Sequence, residues 1–161
     1  MANKTYTVSV KEKIVQNIED ALKLIRRANG YENNVEVVER WEQAGNSLAI
    51  VPAIHIHSEI KQSTDMPGLV TQCIVTVTID AWVCHDKTKF AKSSDAYLDT
   101  VESDIIKAVM TDYQRSGYAE KTEMSAPVQI FHETRGEATC GVICKFDVHY
   151  KHLTGDPRTQ F

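Results

Sequence analysis

Gln72-Cys73-Ile74-Val75-Thr76-Val77-Thr78-Ile79-Asp80-Ala81-Trp82-Val83 is the stretch whose reading decides the fold. Cys73, Val75, Val77, Ile79, Ala81 and Val83 recur at every second position, so an extended chain puts them on one face. Gln72, Thr76, Thr78 and Asp80 fall on the other. One face apolar and one mostly polar is the pattern of a strand in a sheet covered on one side only. Working outward, Val35 to Trp41 is rich in β-branched residues and predicts a first strand, followed by a turn at Gln43-Ala44-Gly45-Asn46. Leu48, Ile50, Pro52, Ile54 and Ile56 alternate along a second, where a proline points to an edge or a bulge. Gln62 to Gly68 has turn composition and no periodicity, so a mobile loop is expected there. After Pro127, a strand from Val128 to Thr134 turns at Arg135-Gly136-Glu137. The last strand carries Ala138, Cys140, Val142, Cys144, Phe146, Val148 and Tyr150 on one face.

Two amphipathic helices flank these strands. Ser9 and Glu12 have capping-box spacing. Val10, Ile14, Ile18, Ala21, Leu22, Ile25 and Ala28 form one stripe, which predicts a helix over 10–29 stopped by Gly30. The second helix is predicted from Ser94 to Ser116, with Gly117 as its stop. Leu98, Val101, Ile105, Ala108 and Val109 make its core stripe, and Ile106, Met110 and Tyr113 a second apolar flank. That combined face is wider than one sheet requires, so it reads either as a helix in a deep groove of its own domain or as a subunit contact.

The expected fold class is therefore α+β: a two-layer domain with a single, mostly antiparallel sheet in the order α-β-β-β-α-β-β and both helices on one face. The domain is expected over 1–152, with 153–161 as a flexible tail. The uncovered face is expected to expose His55, His57, Thr76, Thr78, Asp80, Lys145, Asp147 and His149.

The chain has 161 residues, 25% of them charged, with a formal net charge of -4. That charge argues against a general nucleic-acid binder. The first residues contain no apolar segment of signal-peptide kind, and no run is long enough to span a bilayer, so cytosolic synthesis is expected. Cys140 and Cys144 lie roughly 13 Å apart on an extended strand, too far for a disulfide. Reduced thiols are expected there and at Cys73 and Cys84.

Chemical motifs are sparse. There is no phosphate-binding glycine loop and no nucleophile elbow. His55-Ile56-His57 puts two imidazoles about 7 Å apart on one side of a strand, a spacing that can chelate zinc or iron. It lacks a third ligand fixed by sequence; Asp80, Asp147 and His149 share the face, but nothing in the sequence brings them near. A solvated polar face is the plainer reading, and no metal, cofactor or catalytic residue is expected. His85, His132 and His152 stand alone, and Cys73 has no basic neighbour in sequence. Trp41, Trp82 and Phe131 do not form a stacking platform.

The plan resembles the tail terminator, or tail completion, proteins of long-tailed bacteriophages. The likeness covers residues 9 to 157. It rests on the opening helix ending at Gly30-Tyr31, the Pro52-Ala53-Ile54 strand, and the loop before the third strand. It also rests on the helix ending at Ser116-Gly117-Tyr118 and the last strand ending at Tyr150 before Asp156-Pro157. The resemblance implies a non-enzymatic ring, commonly hexameric, that caps the tail tube, stops its polymerisation and joins the tail to the head connector. It implies a place in the virion tail, with a tail-tube protein and a connector protein as partners and DNA only as passing cargo. No catalytic residues carry over from it. Asp65, Met66, Pro67, Gly68 and Leu69 are the expected tube-contact loop, and Ile106, Met110 and Tyr113 the expected subunit interface. Two other classes remain open: a small-molecule-binding or regulatory module, and a metal-dependent enzyme built on His55 and His57.

Overall fold

The computed structural model describes residues 8–40, 52–84, 94–135 and 137–161; the side chains of 84, 94 and 132–139 are not described. Trp41, the 43–46 turn, Leu48, Ile50, His85 and Gly136, and the side chains of Cys84 and His132, lie outside the described part. Helix α1 spans Val10–Lys23. It is followed by β1 (Val37–Arg40), β2 (Ala53–Met66), β3 (Val70–Cys84), α2 (Ser94–Met110), β4 (Lys121–Met124), β5 (Gln129–Arg135), β6 (Glu137–Leu153) and β7 (Asp156–Gln160).

The class is α+β, with one mixed seven-stranded sheet. The long strands β2, β3 and β6 pair antiparallel in that order, and β1 adds to β2 in parallel. The far edge of β6 is shared by β5, β4 and β7. The order expected from sequence therefore lacks two strands: β4, and β7, which lies within the residues assigned to the tail.

The core forms as the alternation of β3 requires. Val75, Val77, Ile79, Ala81 and Val83 are buried and lie against Val142, Cys144, Phe146 and Val148 of β6. Val10, Ile14, Ile18 and Leu22 of α1 and Leu98, Val101, Ile105 and Val109 of α2 belong to the same cluster. A fully buried side chain of this size contributes about 1.5–3 kcal/mol, so this face supplies most of the cohesion.

Both helices end earlier than their patterns predict. Ser9 Oγ accepts from the Glu12 amide at 3.1 Å, as the capping spacing requires. The Glu12 carboxylate, however, pairs with Arg40 rather than turning back to close the box. Helix α1 stops at Lys23, and a separate 3-10 turn at Arg27–Asn29 leads to Gly30 at φ 83°. Helix α2 ends at Met110, not Ser116. Arg115 explains that end: its guanidinium is wholly buried and donates to the Val109 carbonyl and, at 3.2 Å, to Asn17 Oδ1. Arg115, Ser116 and Gly117 all adopt positive φ, which folds the chain back beneath the helix.

The expected loop at Gln62–Gly68 is mostly strand. Gln62 to Met66 form an outer arm paired with Val70 to Ile74 of β3, which pair in turn with His149 to Leu153 of β6, and a bulge lies between Ile60 and Gln62. Only Pro67, Gly68 and Leu69 turn. The arm shows no alternation in sequence because residues 59–69 are all exposed, so neither face selects apolar side chains. Pro52 stands in a bend before β2 rather than inside it.

Candidate functional site

The polar face assembles as its register dictates. His55 stands opposite Asp80, His57 opposite Thr78, Thr78 opposite Lys145, and Thr76 opposite Asp147. His149 lies on the same side, two residues further along β6. The sequence thus places all eight residues on one face.

That face is less open than expected. Thr76 and Asp147 are buried at 8% and 6% exposure. The bulge in β2 swings Lys61 over them, and its Nζ lies 2.6 Å from Asp147 Oδ2, while Thr76 Oγ1 donates to Oδ1 at 2.7 Å. Burial by itself raises the Asp147 carboxyl, but the bonds from Lys61 and Thr76 outweigh it and hold the group below its ordinary value. His149 Nε2 meets Glu123 Oε1 of β4 at 2.9 Å. Much of the charge on this face is therefore spent on neighbours.

His55, His57 and Asp80 form a second group on this face. His57 Nε2 lies 3.4 Å from Asp80 Oδ2. Asp80 Oδ1 and His55 Nε2 are buried, with no hydrogen-bond partner among the described residues. Burial raises the Asp80 carboxyl more than His57, His55 and Lys145 lower it. Among the described residues, no group of three His, Cys, Asp or Glu is arranged to hold a metal ion.

Two contacts escaped the sequence reading. Trp82 and Phe131 meet edge to face at 4.5 Å between ring centroids. They close over Gly141, where a Cβ would stand 2.2 Å from the Ala81 carbonyl and 2.4 Å from the Phe131 ring. Glycine at that point in β6 is the signal available in sequence, since a strand interior takes one where another group approaches closely. The second contact joins Cys73 Sγ to His152 Nε2 at 3.6 Å, with His152 Nδ1 2.8 Å from the Leu153 carbonyl. The partners are 79 residues apart, so nothing local announces them. Cys73 is only 1% exposed and sits among core residues. Burial also pushes the Cys144 thiol up to about 12, which suits a small buried hydrophobe.

The tip of the β2–β3 arm is built differently. Gly68 and Leu69 have φ 94° and 60°, both left-handed. Leucine pays a steric cost there that glycine does not. Leu69 is nonetheless 74% exposed, and Met66 beside it is exposed as well. The tip is tied down by the turn between β6 and β7: the Thr154 amide donates to the Leu69 carbonyl at 2.7 Å, and Thr71 Oγ1 donates to Asp65 Oδ1 at 2.7 Å. An apolar side chain is thereby held outward on a fixed support.

The three residues of the α2 flank separate. Ile106 packs against the core. Met110 at the last turn and Tyr113 beyond it are exposed. No protein-family model matches this chain, and no curated protein matches it. No helix among the described residues is long and apolar enough to cross a membrane.

Proposed function

We propose that this chain is a tail terminator of a long-tailed bacteriophage, a structural ring protein without catalytic function. Copies assemble side by side, in a hexameric ring, on the last ring of the tail tube. The face toward the tube binds, and the opposite face offers no equivalent surface, so growth stops there and the head connector docks instead. DNA passes through the lumen as cargo. The place of action is the tail or neck of the virion, after synthesis in the host cytoplasm.

The observation that carries this reading is the exposed arm formed by the outer half of β2 and the turn that joins it to β3. A strained, exposed Leu69 on a tip braced by Thr154 gives the monomer nothing, yet it suits insertion into a partner surface. Asp65 to Leu69 are assigned to the tube contact, and Met110 and Tyr113 to a neighbouring subunit. The test is tube length by electron microscopy. Tail-tube protein polymerised with this chain should give tubes of limited length, and Leu69→Asp should restore unlimited growth. Unlimited growth with the unaltered chain overturns the assignment.

A second reading, a small-molecule-binding module on the polar face, is favoured by buried His55 Nε2 and Asp80 Oδ1, which have no hydrogen-bond partner among the described residues. A metabolite that raises the melting temperature of the unaltered chain but not of His55→Ala would favour it.

A further inference from the structure

Cys73 lies under the outer arm as a buried thiol in polar company. It stands between Ser63 of β2 and Tyr150 of β6, in one row across the sheet. Ser63 Oγ and His152 Nε2 each lie 3.6 Å from its Sγ. The Tyr150 hydroxyl bonds the same sulfur. Burial raises that hydroxyl above its ordinary value, and the thiol raises it further, so it stays protonated and donates. Three polar groups on three strands therefore converge on one nucleophilic atom.

The histidine is oriented as a base. Its Nδ1 lies 2.8 Å from the Leu153 carbonyl, which accepts and cannot donate, so in the neutral ring Nδ1 carries the hydrogen. Nε2 then turns its lone pair toward the sulfur, and the thiol donates to it. Asp156 is held below its ordinary value by Thr159 Oγ1 and the Arg158 amide and, in smaller part, by His152, so it places a negative charge near the ring. The cover over the sulfur includes Ser63, exposed on the arm, and His152, half buried. Local opening of the arm ladder leaves the core intact and admits a small uncharged reactant.

We propose that Cys73 is a site of oxidation by hydrogen peroxide, with His152 as the base that takes its proton. The sulfur attacks one peroxide oxygen, a sulfur–oxygen bond forms, and the O–O bond breaks. The thiol proton passes to His152 Nε2 and from there to the departing hydroxide. Cys73 sulfenic acid and water are the products, the sulfur oxidised and the peroxide reduced. Cys144 is opposite Ile79, Cys140 is opposite Val83, and Cys84 ends β3, so all three lie roughly 20 Å or more along the strands from Cys73, beyond disulfide reach. The sulfenic acid therefore persists until an external thiol reduces it. The site goes beyond the proposed function and does not depend on the ring or the tail tube.

Peroxide treatment of the full chain, with dimedone trapping and peptide mass spectrometry, tests it. Cys144 is as deeply buried as Cys73, 0% against 1% exposed, so exposure alone predicts equal labelling. Cys73 should instead be trapped about a hundredfold faster, as a positioned base requires. His152→Asn keeps a donor near the Nδ1 position and removes Nε2; with an unchanged far-UV circular dichroism spectrum, Cys73 labelling should fall to near the Cys144 rate. His152→Gln returns an acceptor near the Nε2 position and should recover part of the loss. Equal labelling of Cys73 and Cys144 in the unaltered chain overturns the inference, whether or not the variants fold. Labelling of Cys73 at the parent rate in both variants shows a thiol uncovered by arm opening alone, and overturns it as well.

Discussion

The two halves of β2 are the same secondary structure made for different reasons. From Ala53 to Ile56 the strand is held between β1 and β3, and Ala53, Ile54 and Ile56 are buried. From Glu59 to Met66 it has β3 alone on the side described, and every side chain is exposed. The inner half exists because burying its apolar face lowers the free energy of the monomer. The outer half gains ladder hydrogen bonds, each worth about 0.5–1.5 kcal/mol net, and side-chain bonds at Lys61 and Asp65, against a comparable cost in backbone entropy. Under the proposed function, a long arm that returns so little to its own domain is accounted for by contacts in an assembly.

The sharpest contrast comes from opposite substitutions. Phe146→Ala, at a wholly buried site in the centre of the sheet, should cost about 3–5 kcal/mol in denaturant unfolding. Gly141→Ala follows, since its added Cβ meets the Ala81 carbonyl and the Phe131 ring; a loss of about 1–3 kcal/mol is expected, with the Trp82–Phe131 contact displaced in near-ultraviolet circular dichroism. A Gly141→Ala chain as stable as the parent would show that this end of the sheet repacks freely.

Where the inner sheet meets the arm, Lys61→Ala removes a partner from a buried carboxylate. About 1 kcal/mol is expected, reduced from the full penalty because Lys61 is half exposed and water can take its place. The pH dependence has a definite sign. The Asp147 carboxyl is held below its ordinary value in the folded chain, so it contributes stability above the unfolded carboxylate range, and that contribution is lost as pH falls through the folded value. Asp147→Asn should flatten the acid limb of the stability profile. Asp80 has the opposite shift, so its ionised form weakens the fold at neutral pH; Asp80→Asn should raise the melting temperature there and lose that advantage in acid.

At the arm tip, the effect on the monomer should be smallest. Leu69→Gly relieves a left-handed leucine, about 1–2 kcal/mol by backbone sterics, but adds freedom to the unfolded chain. The melting temperature should stay level or rise, while capping of tubes is lost. A fall in stability would place Leu69 in the monomer's own packing and erase the contrast.

Legibility in the sequence follows the same division. Wherever a residue's environment is one-sided, the period reports it: β3, β6 and the core stripes of both helices were readable because one face of each is dry. The arm was not, since Gln62, Ser63 and Thr64 meet water on both sides and resemble a loop in composition. β4 and β7 are short and mostly exposed, and so leave little pattern. The end of α2 is not legible in sequence because Arg115 is a good helix former, and only its burial against Val109 and Asn17 turns it into a terminator of the helix. On the polar face, alternation located all eight residues but not the Lys61 bridge, which depends on a bulge and on a partner 86 residues away.

Hydrogen exchange tests the central claim most directly. Amides 59–69 are measured in the dispersed chain and in the assembly. In the dispersed chain the arm should exchange far faster than Ile54 and Ile56, since its ladder opens without disturbing the core. In the assembly, protection should rise across 59–69 and little at the inner half. Equal exchange of the arm in both states would contradict the account, because the proposed contact must protect this surface when partners arrive.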